Sequence, residues 1–272
     1  MQTEWIEMNR ANWNERARAH LSDPGEFYDL AAVRAGGCTL LPLERELLGE
    51  LHGKRLLHLM CHIGLDSICL ARRGASVTAV DLSPQSIASA KSFAAECGVS
   101  IDFHVGDVHA LPEQLGGDYD IAVMTYGVLC WIGDLRSVFT QIAARLKPGG
   151  RFVLIDGHPL LDLLTREPLK DGFSLCGDDY FHRPAPERIE KNTSYTGGAA
   201  LKHASSFQWG HSLAETLQAV LDAGFCLKTV REERYGFYQR FPGMQKHADG
   251  TWVLPPGAPG IPLLFGLLAE RK

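Results

Sequence analysis

The stretch LLHLMCHIGLDS, residues 56–67, decides how the fold of this chain is interpreted. An apolar run enters a short turn and leaves towards a helix-like segment, where many α/β proteins carry a glycine-rich nucleotide loop. The turn holds Met60, Cys61 and His62 where such loops usually have glycine. The segment can therefore be a nucleotide loop that has lost its glycines, a metal site made of histidine and cysteine, or a buried strand.

Short apolar runs and helical segments alternate on both sides of this stretch. Near-continuous apolar strands between amphipathic helices are typical of a parallel sheet that is buried on both faces. The first five predicted strands cover residues 55–61, 76–83, 101–108, 119–127 and 151–156, and two more cover 226–235 and 261–272. The predicted helices between them cover 65–74, 84–98, 134–150 and 211–225. We therefore predict an α/β fold with a doubly wound, seven-stranded, mostly parallel sheet.

The alternation is interrupted after the fifth predicted strand. Residues 157–208 are rich in glycine, proline and polar side chains and show no strong period, whereas residues 1–53 begin with a polar segment that reads as a helix. We predict a single domain over 1–272, in which 54–156 form the cofactor-binding half and 209–272 complete the sheet. The N-terminal cap and the insertion would then form a lid over the carboxyl ends of the strands, where open α/β sheets bind ligands.

Composition excludes several classes of partner. The net charge is −5 and the sequence has no basic stripe, which argues against nucleic acid. No stretch approaches the roughly 20 apolar residues of a membrane helix, and no secretion signal precedes the domain. The seven cysteines are odd in number and widely spaced, which is typical of reduced thiols. We expect a cytoplasmic monomer or homodimer that acts on a small molecule.

A metal site in the decisive stretch would need ligands from His58, Cys61, His62 and Cys69. His58 and Cys61 point to opposite faces if both lie on a strand. The sequence has no second ligand pair at zinc spacing with which to close a tetrahedral site. We therefore predict no metal centre.

Two carboxylates fit a nucleoside site better. Asp81 ends the second predicted strand and is followed by Leu82 and Ser83, and a carboxylate at this place can accept hydrogen bonds from both hydroxyls of a ribose. Asp107 ends the third strand, where it can accept from an adenine amino group while Val108 packs on the ring. Either acid alone is more often a turn or helix-capping residue. In this order and spacing, the two together indicate a binding site.

At this point the sequence resembles a known family. The segments LLHLMCHIGLDSICLARRGASVTAVDLS, VGDV, YDIAVMTYGVL and LKPGGRFVLID are similar to the successive motifs of class I S-adenosylmethionine-dependent methyltransferases, over about residues 54–156. The resemblance implies that Asp81 holds the ribose of the cofactor S-adenosylmethionine and that Asp107 and Val108 hold its adenine. It also implies that the loop from Met60 to Gly64, with Cys61, holds the methionine part, and that Tyr126 faces the cofactor.

The chain departs from the usual family loop, which is close to D-L-G-C-G-T-G. His58, Met60 and His62 replace its aspartate and two glycines. This departure resembles a bacterial small-molecule subgroup with a Cys-His-x-Gly loop and W-[DN]-E-R-A near its start, matched here by residues 13–17. S-adenosylmethionine carries no phosphate, so its loop does not need the glycines that bind a pyrophosphate. For the same reason a dinucleotide-dependent dehydrogenase, which needs G-x-G-x-x-G, is disfavoured.

By this resemblance the chain transfers a methyl group to an oxygen, nitrogen or sulfur of a small molecule. Trp13 and Tyr28 are predicted to close over the cofactor, because aromatic faces attract a sulfonium. His158, which can also cap a turn, Tyr126 and Tyr195 are candidate catalytic residues. Two alternatives remain: an enzyme of the same fold that cyclises the aminobutyrate part of S-adenosylmethionine to azetidine-2-carboxylate with release of methylthioadenosine, and a silent binding module, against which Asp81 and Asp107 argue.

Overall fold

The computed structural model of the chain describes residues 2–22, 27–165, 174–176, 179–197 and 200–272. A seven-stranded sheet forms its centre, and two smaller sheets accompany it. In the described ranges the strands are β1 (Arg55–Leu59), β2 (Ser76–Asp81), β3 (Asp102–Val105), β4 (Tyr119–Thr125), β5 (Leu146–Gly157), β6 (Glu187–Glu190), β7 (Ser205–Gln208), β8 (Phe225–Glu233), β9 (Tyr235–Gly236), β10 (Gln245–Lys246), β11 (Trp252–Val253) and β12 (Leu264–Arg271).

Helices connect most of these strands. The described α-helices are α1 (Gln2–Ser22), α2 (Leu30–Arg34), α3 (Pro42–Leu48), α4 (Leu65–Arg72), α5 (Pro84–Glu96), α6 (Leu135–Arg145) and α7 (Leu213–Asp222). Short 3₁₀ turns cover Glu113–Leu115, Leu129–Trp131 and Pro159–Leu163. Among the helices that the structure describes, none has the length and apolar character needed to cross a membrane.

The main sheet has the strand order β3-β2-β1-β4-β5-β12-β8. The first five strands are parallel, and β12 runs antiparallel to both β5 and β8. This arrangement confirms the predicted seven-stranded, mostly parallel sheet. Strand β2 ends at Asp81 rather than at Ser83, because the Asp81 carboxylate accepts from the Ser83 amide and Ser83 in turn caps α5.

Helices pack on both faces of the sheet, as the near-continuous apolar strands predicted. On one face Leu56 of β1 belongs to a buried cluster with Ile68 of α4, together with apolar residues of α3 and α5. On the other face Leu57 belongs to a cluster with Phe139 of α6 and Val220 of α7. Neighbouring residues of β1 thus face opposite cores, which is why the strand reads as one continuous apolar run.

The N-terminal helix α1 packs against the hairpin of β6 and β7. The Asn9 side chain donates to the Phe207 carbonyl at 2.9 Å and accepts from its amide at 2.7 Å. The Asn12 amide group donates to the His203 carbonyl at 2.6 Å. These bonds join α1 to the segment that the sequence predicted as an insertion, of which residues 166–173, 177–178 and 198–199 lie outside the described residues.

Gly64 begins α4 in a left-handed conformation, with φ of 79°. A Cβ at this position would lie 3.0 Å from the Ala90 Cβ and 3.1 Å from the Phe103 ring. Gly98, at the end of α5, also has a positive φ, 66°, but a Cβ there would meet nothing within 4 Å.

We therefore expect Gly64→Ala to lower the free energy of unfolding by about 2–4 kcal/mol, because it adds overpacking to left-handed strain. Gly98→Ala should cost only about 1–2 kcal/mol, from the backbone strain alone. Urea denaturation of both variants measures the difference. Equal losses would contradict the close packing beneath the loop after β1.

Candidate functional site

Strand β1 is the switch point of the sheet. The chain adds β2 and β3 on one side of β1 and then crosses over to add β4 and β5 on the other side. The loops that follow β1 and β4 therefore part and leave a crevice at the carboxyl ends of the strands. Four loops begin at this edge of the sheet, after β1, β2, β3 and β4. They contain the residues that the sequence analysis singled out.

Asp81 joins two of these loops. Its Oδ2 accepts from the His62 amide at 2.8 Å, and its Oδ1 accepts from the Ser83 amide at 2.9 Å. Burial raises the pKa of Asp81 to about 6, although these amides favour the charged form. A carboxylate oxygen can accept more than one hydrogen bond, so the group retains capacity for ligand hydroxyls. Leu82, between Asp81 and Ser83, is half-buried.

The loop after β1 has the backbone of a glycine loop without its glycines. Met60 and His62 have φ of 57° and 50°, both in the left-handed region. Such a conformation costs an ordinary residue about 1–2 kcal/mol. The Cys61 amide donates to the Val80 carbonyl at 3.0 Å, and burial raises the pKa of the Cys61 thiol well above its usual value. The hydrogen bond to β2 helps to hold the loop in this left-handed conformation.

Asp107 follows β3 and is held by its own neighbour. Its Oδ1 accepts from the His109 amide at 2.9 Å and lies 2.7 Å from His109 Nδ1. Burial acts to raise the pKa of Asp107, but the hydrogen bonds from His109 outweigh it and the pKa is lowered. Val108 is buried in the apolar cluster beneath the loop. Asp107 is therefore anionic at neutral pH.

Rings gather above the loop after β1, and we call Trp13, His20, Tyr28, His62 and Tyr195 the ring cluster. The Trp13 and His62 ring centroids are 5.1 Å apart, and those of His20 and Tyr195 are 4.6 Å apart. The Tyr28 and Tyr195 hydroxyl oxygens lie 2.6 Å apart. Three distant segments thus meet above the crevice: helix α1, the start of α2 and the insertion.

The two histidines of the ring cluster are uncharged at neutral pH. His20 Nδ1 lies 2.6 Å from His62 Nε2, and His20 Nε2 lies 2.6 Å from the Ser194 hydroxyl. Burial, with a contribution from nearby Arg16, lowers the pKa of His20 to about 2 and that of His62 to about 3. Because both imidazoles are neutral, neither of them repels a cationic ligand.

Arg16 is the residue that the sequence analysis did not select. Only 6% of it is exposed, and its Nε donates to the Asn12 side chain at 2.6 Å. Its guanidinium lies over the Trp13 ring at 5.7 Å and the Tyr195 ring at 6.0 Å. In the part of the chain that the structure describes, no carboxylate pairs with it. A sequence signal was available, because Arg16 is the arginine of the W-N-E-R-A segment.

Tyr126 follows β4 with φ of 49°, and its hydroxyl donates to the Glu44 Oε2 at 2.7 Å. Glu44 is fully buried, and burial together with the nearby Asp66 carboxylate raises its pKa well above the usual value. The Tyr126 ring stacks on Phe237 at 4.8 Å. The hydroxyl of this predicted site residue is thus directed towards a buried acid. Sequence reasoning missed Glu44, since its position in the first turn of α3 gives no sign of burial.

His158 lies at the end of β5 with both ring nitrogens engaged. Its Nδ1 accepts from the Leu160 amide at 3.1 Å, which is the turn-capping interaction, and its Nε2 lies 2.8 Å from the Glu232 Oε1. Nearby Asp156 accepts hydrogen bonds from the amides of residues 127, 128, 129 and 157 and so fixes the loop after β4. Tyr195, the other predicted catalytic residue, belongs to the ring cluster.

Comparison with protein families adds an independent finding. Residues 56–150 match a family described as a methyltransferase domain. A ubiquinone biosynthesis O-methyltransferase of Bordetella avium (strain 197N) is 34% identical over 167 residues, which are 60% of this chain and 64% of the relative. One of Xanthomonas euvesicatoria pv. vesicatoria (strain 85-10) is 33% identical over 51% of this chain and 54% of its own length. The chain thus matches little more than half of these curated relatives.

Solved structures with the same fold extend further along the chain. An S-adenosylmethionine-dependent methyltransferase from Mesorhizobium loti has a TM-score of 0.60 and 21% identity over 87% of this chain and 99% of its own. The glycopeptide N-methyltransferase MtfA, complexed with S-adenosyl-L-methionine, has a TM-score of 0.53 and 15% identity over 84% of this chain and 85% of its own. At these identities the similarity establishes the fold.

Proposed function

We propose that this chain, in which residues 56–150 match a methyltransferase domain, transfers the methyl group of S-adenosylmethionine to an oxygen, nitrogen or sulfur atom of a small molecule. The observation that carries this proposal is Asp81, a buried carboxylate that ties together the loops after β1 and β2 and keeps capacity for two hydroxyl donors. The O-methyltransferase relatives support an acceptor of small-molecule size.

The residues present fit the nucleoside part of this cofactor. Asp81 would accept from both ribose hydroxyls, with Leu82 and Ser83 beside them. Asp107 would accept from the adenine amino group, because its Oδ1 alone is bonded to His109 and Oδ2 has no hydrogen-bond partner among the described residues. Val108 would pack on the adenine ring. With adenine at β3 and ribose at β2, the rest of the cofactor would extend towards β1 and β4.

The residues above β1 and β4 fit the remaining, charged part. The amino acid end of S-adenosylmethionine carries a carboxylate, and the buried Arg16 guanidinium offers a cation without a carboxylate partner in the described chain. Its charge is close enough to His62, in the loop after β1, to lower that pKa. We propose that Arg16 binds the cofactor carboxylate, with Met60, Cys61 and Gly64 supplying the backbone below.

When bound, S-adenosylmethionine supplies a methyl group that is bonded to a cationic sulfur, and this sulfur is a good leaving group. The faces of Trp13, Tyr28 and Tyr195 would attract that charge by about 0.5–2 kcal/mol each. The Asn14 Oδ1 of helix α1 accepts hydrogen bonds from the Ser83 hydroxyl and the Gln85 amide, so α1 lies over the crevice and would act with the insertion as a lid that excludes water. The chain's contribution is binding, orientation and desolvation of the acceptor beside the cofactor.

Proton transfer would fall to groups at the ends of β4 and β5. His158 is uncharged at neutral pH because burial lowers its pKa, but an acceptor's proton would have to displace the capping Leu160 amide from Nδ1. Tyr126 would line the acceptor site with its ring, and its hydroxyl would stay on Glu44. Tyr195 would contribute its ring and its hydroxyl from the insertion. A methyl transfer to a nucleophile that is already deprotonated needs none of the three.

One observation favours the second candidate function, cyclisation of the aminobutyrate part of the cofactor. The ring cluster encloses the proposed methionine end from α1, α2 and the insertion, which suits a reaction that needs no second substrate. The cofactor amine would attack its own γ-carbon and methylthioadenosine would leave. The two functions require the same cofactor and the same Asp81.

Mass spectrometry of the protein incubated with S-adenosylmethionine alone distinguishes them. The cofactor should remain intact, and S-adenosylhomocysteine should form only when small phenols, amines or thiols are added. Enzyme-dependent methylthioadenosine together with azetidine-2-carboxylate would overturn methyl transfer in favour of cyclisation. No binding of the cofactor would overturn both.

Asp81→Asn should weaken S-adenosylmethionine binding about 30-fold, since it removes a charged acceptor of two hydroxyls. In the unmodified protein the affinity should fall below about pH 6, because protonated Asp81 accepts less well and its pKa lies at about 6. Isothermal titration calorimetry from pH 5 to 8 measures both effects. Asp102→Asn, an exposed control at the start of β3, should bind as the unmodified protein does. An unchanged affinity in Asp81→Asn would refute the ribose assignment.

Arg16→Gln should weaken S-adenosylmethionine binding by about 10- to 100-fold, and it should leave the affinity for decarboxylated S-adenosylmethionine nearly unchanged. Arg18→Gln is the matched control, an exposed arginine on the same helix whose Nε donates to Gln85. Equal losses for the two ligands would show that Arg16 acts on the lid rather than on the carboxylate.

A further inference from the structure

Three side chains outside the proposed cofactor site converge on one point. His182 comes from the insertion, His211 precedes α7, and Glu215 lies in the first turn of α7. One ligand atom from each lies within 4.8 Å of the others. We infer that these three residues form a binding site for a transition-metal dication, with zinc as the expected ion, because two imidazoles and one carboxylate are a donor set that Zn²⁺ prefers. The inference does not depend on the proposed methyl transfer.

The hydrogen-bond geometry of the His211 ring is the main observation for this site. Its Nε2 lies 2.6 Å from the Ile132 carbonyl, which can only accept, so Nε2 bears the hydrogen and Nδ1 presents a lone pair. The side chain is 2% exposed, and Nδ1 is buried without a hydrogen-bond partner among the described residues. A histidine that donates one ring nitrogen to a backbone carbonyl and aims the other inward has the arrangement of a metal ligand.

A second acceptor faces that lone pair. Glu215 Oε1 lies 3.4 Å from His211 Nδ1, and Glu215 Oε2 is likewise buried and unpartnered in the part of the chain that the structure describes. Two acceptors at this distance repel each other unless a cation lies between them. A metal ion bound to both satisfies the two atoms at once.

Two of the spacings among the three groups suit a tetrahedral ion. With metal–ligand bonds of about 2.0–2.1 Å, neighbouring ligand atoms lie about 3.3 Å apart. His211 Nδ1 and His182 Nδ1 lie 3.4 Å and 3.6 Å from Glu215 Oε1. The two imidazole rings stack with centroids 5.0 Å apart, and His182 Nδ1 lies 3.3 Å from the Gly210 carbonyl. Binding would exchange that carbonyl contact for the ion.

The site opens into a cleft of about 550 Å³, which leaves room for a water molecule as fourth ligand. His182, Pro184 and Glu215 line the cleft beside Asp134, Asp222 and Arg136, so three carboxylates against one guanidinium favour a cation. An ion held here would join three segments, namely the insertion, α7 and, through Ile132, the loop after β4. Its expected effect is to fasten the insertion to the sheet.

Zinc binding by the purified full chain tests the site in the absence of S-adenosylmethionine. Titration calorimetry of the chelator-treated protein should show one high-affinity Zn²⁺ per chain, weakened at least about 100-fold in His182→Gln and in Glu215→Gln. His203→Gln is the matched control, because His203 also lies in the insertion but pairs with Glu15. His182→Gln changes a partly exposed residue, so it tests the site even where His211→Gln fails to fold.

Cobalt substitution distinguishes this site from the cysteines. Co²⁺ should give the visible spectrum of a tetrahedral nitrogen and oxygen site without a thiolate charge-transfer band, and the spectrum should vanish in His182→Gln. A thiolate band, Zn²⁺ binding that survives in His182→Gln and in Glu215→Gln, or no binding of Zn²⁺ would each overturn the inference.

Discussion

The reversal of strand order at β1 is the constraint on which the rest of this molecule depends. It parts the loops after β1 and β4, and the Asp81 carboxylate then binds the loop after β1 to the end of β2 through the His62 and Ser83 amides. Burying a charge in this way is costly, since the ordinary preference of a buried carboxyl is to be neutral. This cost falls at the carboxyl ends of the parallel strands, where hydrogen bonds from a ligand can offset it.

The sequence predicted the sheet because its seven strands are written as local patterns that tertiary contacts need not override. The acids after β2 and β3 were predictable for the same reason, since their place follows from where a strand ends. Glu44 was not, because its importance comes from burial by segments far along the chain, and the burial of Arg16 was not predictable either, although its place in the W-N-E-R-A segment was a signal. The burial of His211 is likewise tertiary, because Ser212 caps α7 and His211 packs against His182 of the insertion.

Charge is distributed unevenly around the crevice. The acids Asp81 and Asp107 lie at the carboxyl ends of β2 and β3, whereas the Arg16 guanidinium lies over the Trp13 and Tyr195 rings of the ring cluster. Between them stand aromatic rings and two imidazoles that burial keeps neutral. A site with anions at one end, a cation at the other and polarisable faces between complements a ligand that is itself polar at both ends and cationic in the middle.

The position of β12 has a consequence for how the chain is made. Strand β8 pairs only with β12 in the main sheet, and β12 must insert between β5 and β8, with Leu264 opposite Gly157. During synthesis the five parallel strands can assemble while β8, already out of the ribosome, still waits for its neighbour. The long loop between β5 and β12 closes slowly. Until it closes, the edge of β5 is exposed, and this edge is where a newly made chain is most open to wrong pairing.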